Sequence, residues 1–295
     1  MRTRRTALVA AVDGGFDRHL AAQRVLVVGA TGSIGRLVVE EALKAGHSVR
    51  ALVRNLPSAK GLPTQAERVK GDLTVPASLA AALDGIDAIV FTHGSSGGSK
   101  LEAERVDYGG VRNVLDALHG RPVRIALMTA IGVTNREGAY NQSTELHDWK
   151  RRAERLVRAS GSPYTIVRPG WFDYNAPDQH RLVLLQGDRR HAGDPSDGVV
   201  ARRQIARVLV SSLTSNAAPR KTFELVAERG AAPQDFDALF APLRTDPVDG
   251  IDGCLDLPNM PVVDERPSVR DDLARIAALA GNVAPKPQER PGVLR

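Results

Sequence analysis

The sequence predicts an α/β fold of the Rossmann type: a doubly wound parallel sheet with helices on both faces, plus a short C-terminal appendage. Three observations predict it. Strand-like and helix-like segments alternate from residue 23 to about 228, the pattern of a parallel sheet covered on both sides. The first strand-like run passes straight into a glycine-rich turn and then into a helix-like run. The chain has 295 residues, 42% hydrophobic and 25% charged, which suits one large core, or one core with a small addition.

The elements follow in order. Residues 25–28, Val-Leu-Val-Val, are apolar and rich in β-branched valine, as a buried parallel strand requires. Residues 35–45 read as a helix ended near Gly46. A second strand spans 48–53 and a short third spans 68–70. Residues 78–83 read as helix, 86–92 as a fourth strand and 101–118 as a long helix. A fifth strand at 124–129 precedes an amphipathic helix at 146–158, stopped by Gly161. Residues 164–167 form a sixth strand, 202–213 a helix and 222–226 a last strand. The stretch 175–199 is polar and broken by Gly and Pro, so it reads as a substrate lid or a long surface loop.

Outside residues 23–228 the character changes. Residues 1–22 begin Met-Arg-Thr-Arg-Arg, and Asp13-Gly14-Gly15 interrupts their short apolar stretch. They read as a disordered basic tail or an over-long start rather than a signal peptide. Prolines and acidic residues crowd 241–268, a helix is expected over 269–280, and 285–295 reads as a tail. The segment 229–295 is too short and too polar for a core of its own, and its composition points to no role.

The net charge is +6, and aromatics make up only 4%. Arg151, Arg152, Arg155 and Arg158 share one helix. Without aromatic stacking partners they read as a solvated face paired with local Glu and Asp, not as a nucleic-acid surface. The single cysteine, Cys254, excludes an internal disulfide and a thiol metal site. No apolar run approaches the ~20 residues needed to span a bilayer. The expectation is a cytoplasmic monomer or homodimer that acts on a small molecule, with no metal, nucleic-acid or membrane partner.

The chemistry starts at Gly29-Ala30-Thr31-Gly32-Ser33-Ile34-Gly35. Gly29 allows a tight turn, Gly32 lets the backbone approach a phosphate, and Gly35 lets the helix pack close to the strand. Thr31, Ser33 and Ile34 complete the turn. Helix-start N–H groups are unpaired and face outward, so this is a site for a dinucleotide pyrophosphate. Arg54 ends the second strand, where an NAD-selecting site would place Asp or Glu. With Arg50 in the same strand and Arg36 beside the turn, it favours a 2′-phosphate, hence NADP (NADPH).

The ends of the next strands line the same crevice. In Gly71-Asp72-Leu73, Asp72 is either an acceptor for the adenine amino group or a turn cap, and Leu73 stands beside it. Thr92-His93-Gly94 closes the fourth strand and leads into the loop from Ser95 to Gly98, along the nicotinamide side. His93 is either a proton donor or a structural histidine.

Four segments stand in order: the glycine turn, Ala51-Leu52-Val53-Arg54-Asn55, Gly71-Asp72-Leu73-Thr74 and Tyr164-Thr165-Ile166-Val167-Arg168-Pro169-Gly170. Together they resemble the atypical short-chain dehydrogenase/reductases, in the NAD(P)H-binding group close to NmrA-like and flavin- or biliverdin-reductase-like proteins. The resemblance covers residues 23–228. It implies an NADP(H)-dependent oxidoreductase in which Lys150 binds the nicotinamide ribose and Thr129 supplies a strand-end hydroxyl. In the family, the turn at Pro169 passes the nicotinamide. Trp171 and Phe172 then begin the substrate side, or else are core.

The chain also departs from the family. Four residues before Lys150, where catalytic members carry tyrosine, stands Leu146, and the strand-end Ser-Ser is Thr129-Ala130. Carbonyl reduction needs an acid within ~3 Å of the forming alkoxide. Tyr140, Tyr108, His93, His147 and Asp148 are the possible substitutes. A conjugated acceptor such as a flavin or quinone spreads the incoming charge and survives the loss better. The alternatives are a non-enzymatic NADP-binding redox sensor of the NmrA-like kind and, ranking below it, a nucleotide-sugar epimerase-like enzyme.

Overall fold

The computed structural model describes residues 22–95 and 98–281. The expectations for the tail at 1–21, for Ser96 and Gly97, and for residues 282–295 fall outside them. The elements are β1 (Arg24–Val28), α1 (Gly35–Lys44), β2 (Ser48–Val53), β3 (Glu67–Lys70), α2 (Ala80–Leu83), β4 (Ala88–Phe91), α3 (Lys100–Glu102), α4 (Gly109–Ala117), β5 (Arg124–Met128), α5 (Ala139–Thr144), α6 (Leu146–Ala159), β6 (Tyr164–Pro169), β7 (Trp171–Phe172), β8 (Arg181–Leu185), β9 (Val199–Val200), α7 (Arg202–Thr214), β10 (Lys221–Glu228), α8 (Phe236–Phe240) and α9 (Pro267–Leu279).

One sheet runs in the order β3-β2-β1-β4-β5-β6-β10-β8. Its first six strands follow the doubly wound order, so a crevice opens at the carboxyl ends of β1 and β4, where the winding reverses. Every pair is parallel except β10 with β8, which is antiparallel. The sheet is therefore mostly parallel, not wholly so. The stretch 175–199 carries this edge strand and β9, which pairs with β7, so it is neither a plain lid nor a plain loop.

Alternate residues of β1 feed opposite faces, as the pleat dictates. Val25 and Val27 join the cluster under α1 and α7, while Leu26 and Val28 join the one under α4 and α6. The long helix expected over 101–118 is present, but its backbone changes register. A π-helical stretch, Ala103–Tyr108, links α3 to α4.

The arginine face of α6 is buried, contrary to the solvated face expected for it. Arg151 and Arg155 are fully enclosed, and Arg152 and Arg158 are nearly so. Some counter-charges are local, as expected, with Glu154 at 3.4 Å from Arg158 and Asp148 at 4.0 Å from Arg152, but most come from beyond residue 228. Arg155 donates to Asp252 Oδ2 at 2.8 Å and to Glu265 Oε1 at 3.0 Å. Arg152 donates to Glu265 Oε2 at 2.8 Å, and Arg151 to Asp252 Oδ1 at 3.2 Å. Arg158 meets Asp246 at 3.4 Å. An unpaired ion in the interior costs several kcal/mol, so each guanidinium requires its carboxylate. The acidic C-terminal segment supplies most of them, and α9 adds Val269, Leu273 and Ile276 to the cluster that holds Trp149 and Leu156.

Candidate functional site

The glycine turn closes against the end of β4. Gly29 has φ +83°, and a Cβ there would lie 2.7 Å from the backbone nitrogen of His93. A Cβ on Gly35 would overlap the Gly29 carbonyl, so only glycine lets α1 start this close to β1. Gly32 donates to the Gly29 carbonyl at 2.9 Å. Ile34 is buried and gives α1 no side-chain cap, and the first turn of α1 holds no acidic residue. Thr31 is half-buried, while Gly32 and Ser33 are exposed. The result is a cradle of helix-start N–H groups with no anion of its own, and it fits a pyrophosphate.

The adenosine side follows at the ends of β2 and β3. Arg54 is exposed at the mouth of the crevice. Arg36 folds back to donate to the Thr31 carbonyl at 3.0 Å. Arg50 points the other way, with its guanidinium on Glu67 Oε2 at 2.8 Å and on the Asp84 carbonyl at 2.7 Å. It therefore has no part in binding a 2′-phosphate. Asp72 is a turn cap, since Oδ1 accepts both the N–H and the hydroxyl of Thr74 at 2.8 Å. The Thr74 N–H first, with help from Arg54 and Arg105, holds its carboxyl below the usual range. The Leu73 carbonyl accepts from Asn113 Nδ2 at 2.6 Å.

The nicotinamide side is built by β4, the π-helical stretch and α6. Thr92 ties β4 to β1 through its hydroxyl, which donates to the Val28 carbonyl at 2.9 Å. The His93 Nε2 lies 3.1 Å from the Val106 carbonyl, an acceptor, so Nε2 carries the proton. Nδ1 is buried without a partner among the described residues. Burial pushes the imidazole down to about 4. His93 is thus neutral and structural, and cannot serve as an imidazolium proton donor.

Beyond Gly94, the Asp107 carboxylate gathers the loop and the helix. It accepts from the Ser95 N–H at 3.0 Å, the Ser95 hydroxyl at 2.5 Å and Lys150 Nζ at 2.7 Å. A Cβ on Gly94 would lie 3.3 Å from Asp107 Oδ1 and 3.6 Å from Lys150 Nζ. The expected lysine therefore stands at the end of β4.

Thr129 gives its hydroxyl to Glu154 Oε1 at 2.7 Å, inside a buried network where Glu154 and Asp256 clamp Arg168 at 2.7 Å. That proton is committed to a structural carboxylate. Pro169 ends β6, and its carbonyl accepts from the Ile131 N–H at 3.0 Å.

Of the five candidate acids, three are taken. His93 is neutral, as above. Tyr108 donates to Asp272 at 2.8 Å. Burial pushes the Asp148 carboxyl up, and Arg136 more than reverses this through a 3.0 Å ion pair. Tyr140 and His147 remain. Their rings meet edge-on with centroids 5.5 Å apart. His147 stands one helical turn before Lys150, on the same face of α6. Burial pushes the His147 imidazole down, while burial and then Asp107 push the Tyr140 phenol up. Leu146 is 7% exposed, packed into the core rather than turned to the crevice.

Beyond Pro169, Trp171 and Tyr174 are exposed and form an edge-on pair at 6.2 Å, while Phe172 packs against the core. Phe172 lies 5.4 Å below the Arg202 guanidinium. The sequence places Ser95 in the loop beside the site but does not single out Asp107 or Arg202. A π-helical register leaves no period in the sequence, and Arg202 reaches the site only through tertiary packing.

Among the described residues no helix is long and apolar enough to cross a membrane, and no cluster of His, Cys, Asp and Glu could hold a metal ion.

The family model described as NAD(P)H-binding matches residues 29–216. Sanguinarine reductase of Eschscholzia californica is 28% identical over 264 residues, covering 75% of this chain and 96% of that protein. An uncharacterised sugar epimerase of Bacillus subtilis is 31% identical over 207 residues, covering 68% of this chain and 93% of that one. Among solved structures, a putative NAD-dependent epimerase/dehydratase from Bacillus halodurans superposes with a TM-score of 0.63 at 24% identity, covering 75% of this chain and all of that one.

Proposed function

This chain belongs to the NAD(P)H-binding family, and from that premise we propose that it is an NADP(H)-dependent reductase of a small conjugated or carbonyl acceptor. The observation that carries the reading is Lys150, held by Asp107 at the open end of β4 with His147 and Tyr140 beside it. The nicotinamide supplies hydride when bound. The glycine turn takes the pyrophosphate. Arg54, exposed and without an ion pair among the described residues, takes the 2′-phosphate. Lys150 orients the ribose as a fixed positive charge. Tyr140 is half exposed and is the group that can bring a proton to an acceptor oxygen or nitrogen. A flat acceptor that delocalises charge places the lightest demand on it. The likeness to sanguinarine reductase, a relative named for reduction, supports this reading.

The test is NADPH oxidation by purified protein across quinones, flavins and aldehydes, with Lys150→Met as the control. Turnover that falls in the variant supports the assignment, and no turnover with any acceptor defeats it.

A second reading has one observation of its own. The residue in place of the family tyrosine, Leu146, is sealed in the core. A redox sensor that binds NADP and passes its state to a partner needs no acid there. It predicts equal affinity for NADPH and NADP and no turnover. An epimerase reading, suggested by the Bacillus subtilis relative's name, leans on the same absent tyrosine and ranks below both.

A further inference from the structure

Arg202 opens α7 and spans from the substrate side to the glycine turn. Its Nε lies 3.2 Å from the Ser33 hydroxyl. Nη1 forms an ion pair with Asp173, and the Arg202 N–H donates to Asp173 Oδ1 at 3.0 Å. We propose that Arg202 is a ligand of the dinucleotide pyrophosphate, and that Asp173 competes with the pyrophosphate for its guanidinium.

Position comes first. Ser33 belongs to the turn whose N–H groups face the phosphates, so a guanidinium one hydrogen bond from its hydroxyl is within reach of the same anion. Charge comes second. The start of α1 has neither a capping side chain nor an acidic residue, so a cation here meets no built-in counter-ion from the turn. Availability comes third. The side chains of Arg202 and Asp173 are 35% and 48% exposed, so water screens the pair and it exchanges at small cost. The neighbouring arginines are engaged differently. Arg203 is paired with Glu40 and Glu41, and Arg36 donates to Thr31. A bidentate guanidinium on a phosphate is stronger than the exposed carboxylate pair it replaces. The exchange releases Asp173, which adjoins Phe172 and Tyr174, so cofactor binding reaches the substrate side through one side chain.

The assignment concerns the pyrophosphate and is independent of the choice between NADH and NADPH. It is tested by calorimetric titration of the full chain, as wild type, Arg202→Met, Arg202→Lys and Asp173→Asn, with NADPH and with adenosine 2′-monophosphate. Arg202→Met is expected to weaken NADPH about tenfold or more, and Arg202→Lys to restore part of the loss. Asp173→Asn keeps an oxygen for the Arg202 N–H and tolerates the left-handed backbone at φ +58°. It removes only the competing charge, so NADPH should bind about threefold tighter. Adenosine 2′-monophosphate lacks the pyrophosphate and should bind all four proteins alike. A merely structural pair makes Asp173→Asn weaken NADPH as Arg202→Met does, and that result overturns the proposal. So does an unchanged affinity in Arg202→Met, or an equal loss for adenosine 2′-monophosphate. A wild type that binds neither NADPH nor NADH overturns the cofactor reading itself.

Discussion

The ammonium of Lys150 lies 2.7 Å from Asp107 Oδ1, and Asp107 stands on the π-helical stretch that interrupts the helix after β4. Such stretches recur at functional sites because they alter which residues face a neighbour. Here the stretch hands a buried carboxylate to a lysine that would otherwise be unpaired at the crevice. Removing one partner leaves the other charge uncompensated. Asp107→Ala is expected to lower stability by about 3 kcal/mol, read by urea unfolding, and to weaken dinucleotide binding because Lys150 loses its fixed position. An Asp107→Ala protein of unchanged stability and affinity would show that the pair does neither job.

The proposed preference for NADP rests on Arg54. Arg54→Glu is expected to weaken NADPH about 30-fold through repulsion of the 2′-phosphate while leaving NADH within a few-fold. Paired titrations with both cofactors give the ratio directly. Equal losses for both would place Arg54 outside the 2′-phosphate site.

Gly35 is a steric requirement. Gly35→Ala drives a methyl group into the Gly29 carbonyl, and the neighbouring backbone cannot yield as a flexible side chain would. The expected cost is about 2 kcal/mol or more, seen as a lowered Tm, together with loss of NADPH binding. Gly46 is the control: its surroundings are open, though its φ of +85° disfavours a side chain. Gly46→Asn should leave binding intact.

Two buried groups give the stability opposite slopes with pH. Burial pushes the Glu224 carboxyl from 4.5 up to about 8. Between these values the native state keeps a proton that the unfolded chain releases, so this contribution is complete below 4.5 and is lost as pH rises through 8. His93 runs the other way. Its lowered pKa means that between about 4 and 6.5 the unfolded chain binds the proton, so stability rises with pH there. Glu224→Gln should flatten the alkaline decline, and His93→Gln the acid limb, in denaturation curves taken from pH 4 to 9. A wild-type curve with neither limb contradicts both assignments.

The sequence made the fold legible where local chemistry decides it. The valines of β1, the glycine spacing and the alternation of elements are short-range signals, and each lies where it is expected. Arg54 and Lys150 were readable because their place follows from those elements. Asp72 and His93 were ambiguous because both readings use the same residue type, and only Thr74 and burial separate them. Asp107 was hidden by the π-helical register. The burial of the α6 arginines is hidden because most of their carboxylates lie about a hundred residues away in the chain. The strand β8 was missed because the polar, Gly- and Pro-rich surroundings outweigh its short apolar run.

That separation bears on how the chain matures during synthesis. Arg155 and Asp252 are 97 residues apart, and Arg152 and Glu265 are 113 apart. At about 5–20 residues per second, these counter-charges are made roughly 5–20 s after α6 itself. Docking in that interval would bury Arg151 and Arg155 without the Asp252 and Glu265 carboxylates that pair with them. The sheet can begin to form earlier, but the face of the sheet under α6 must wait until Asp252 and Glu265 have been made.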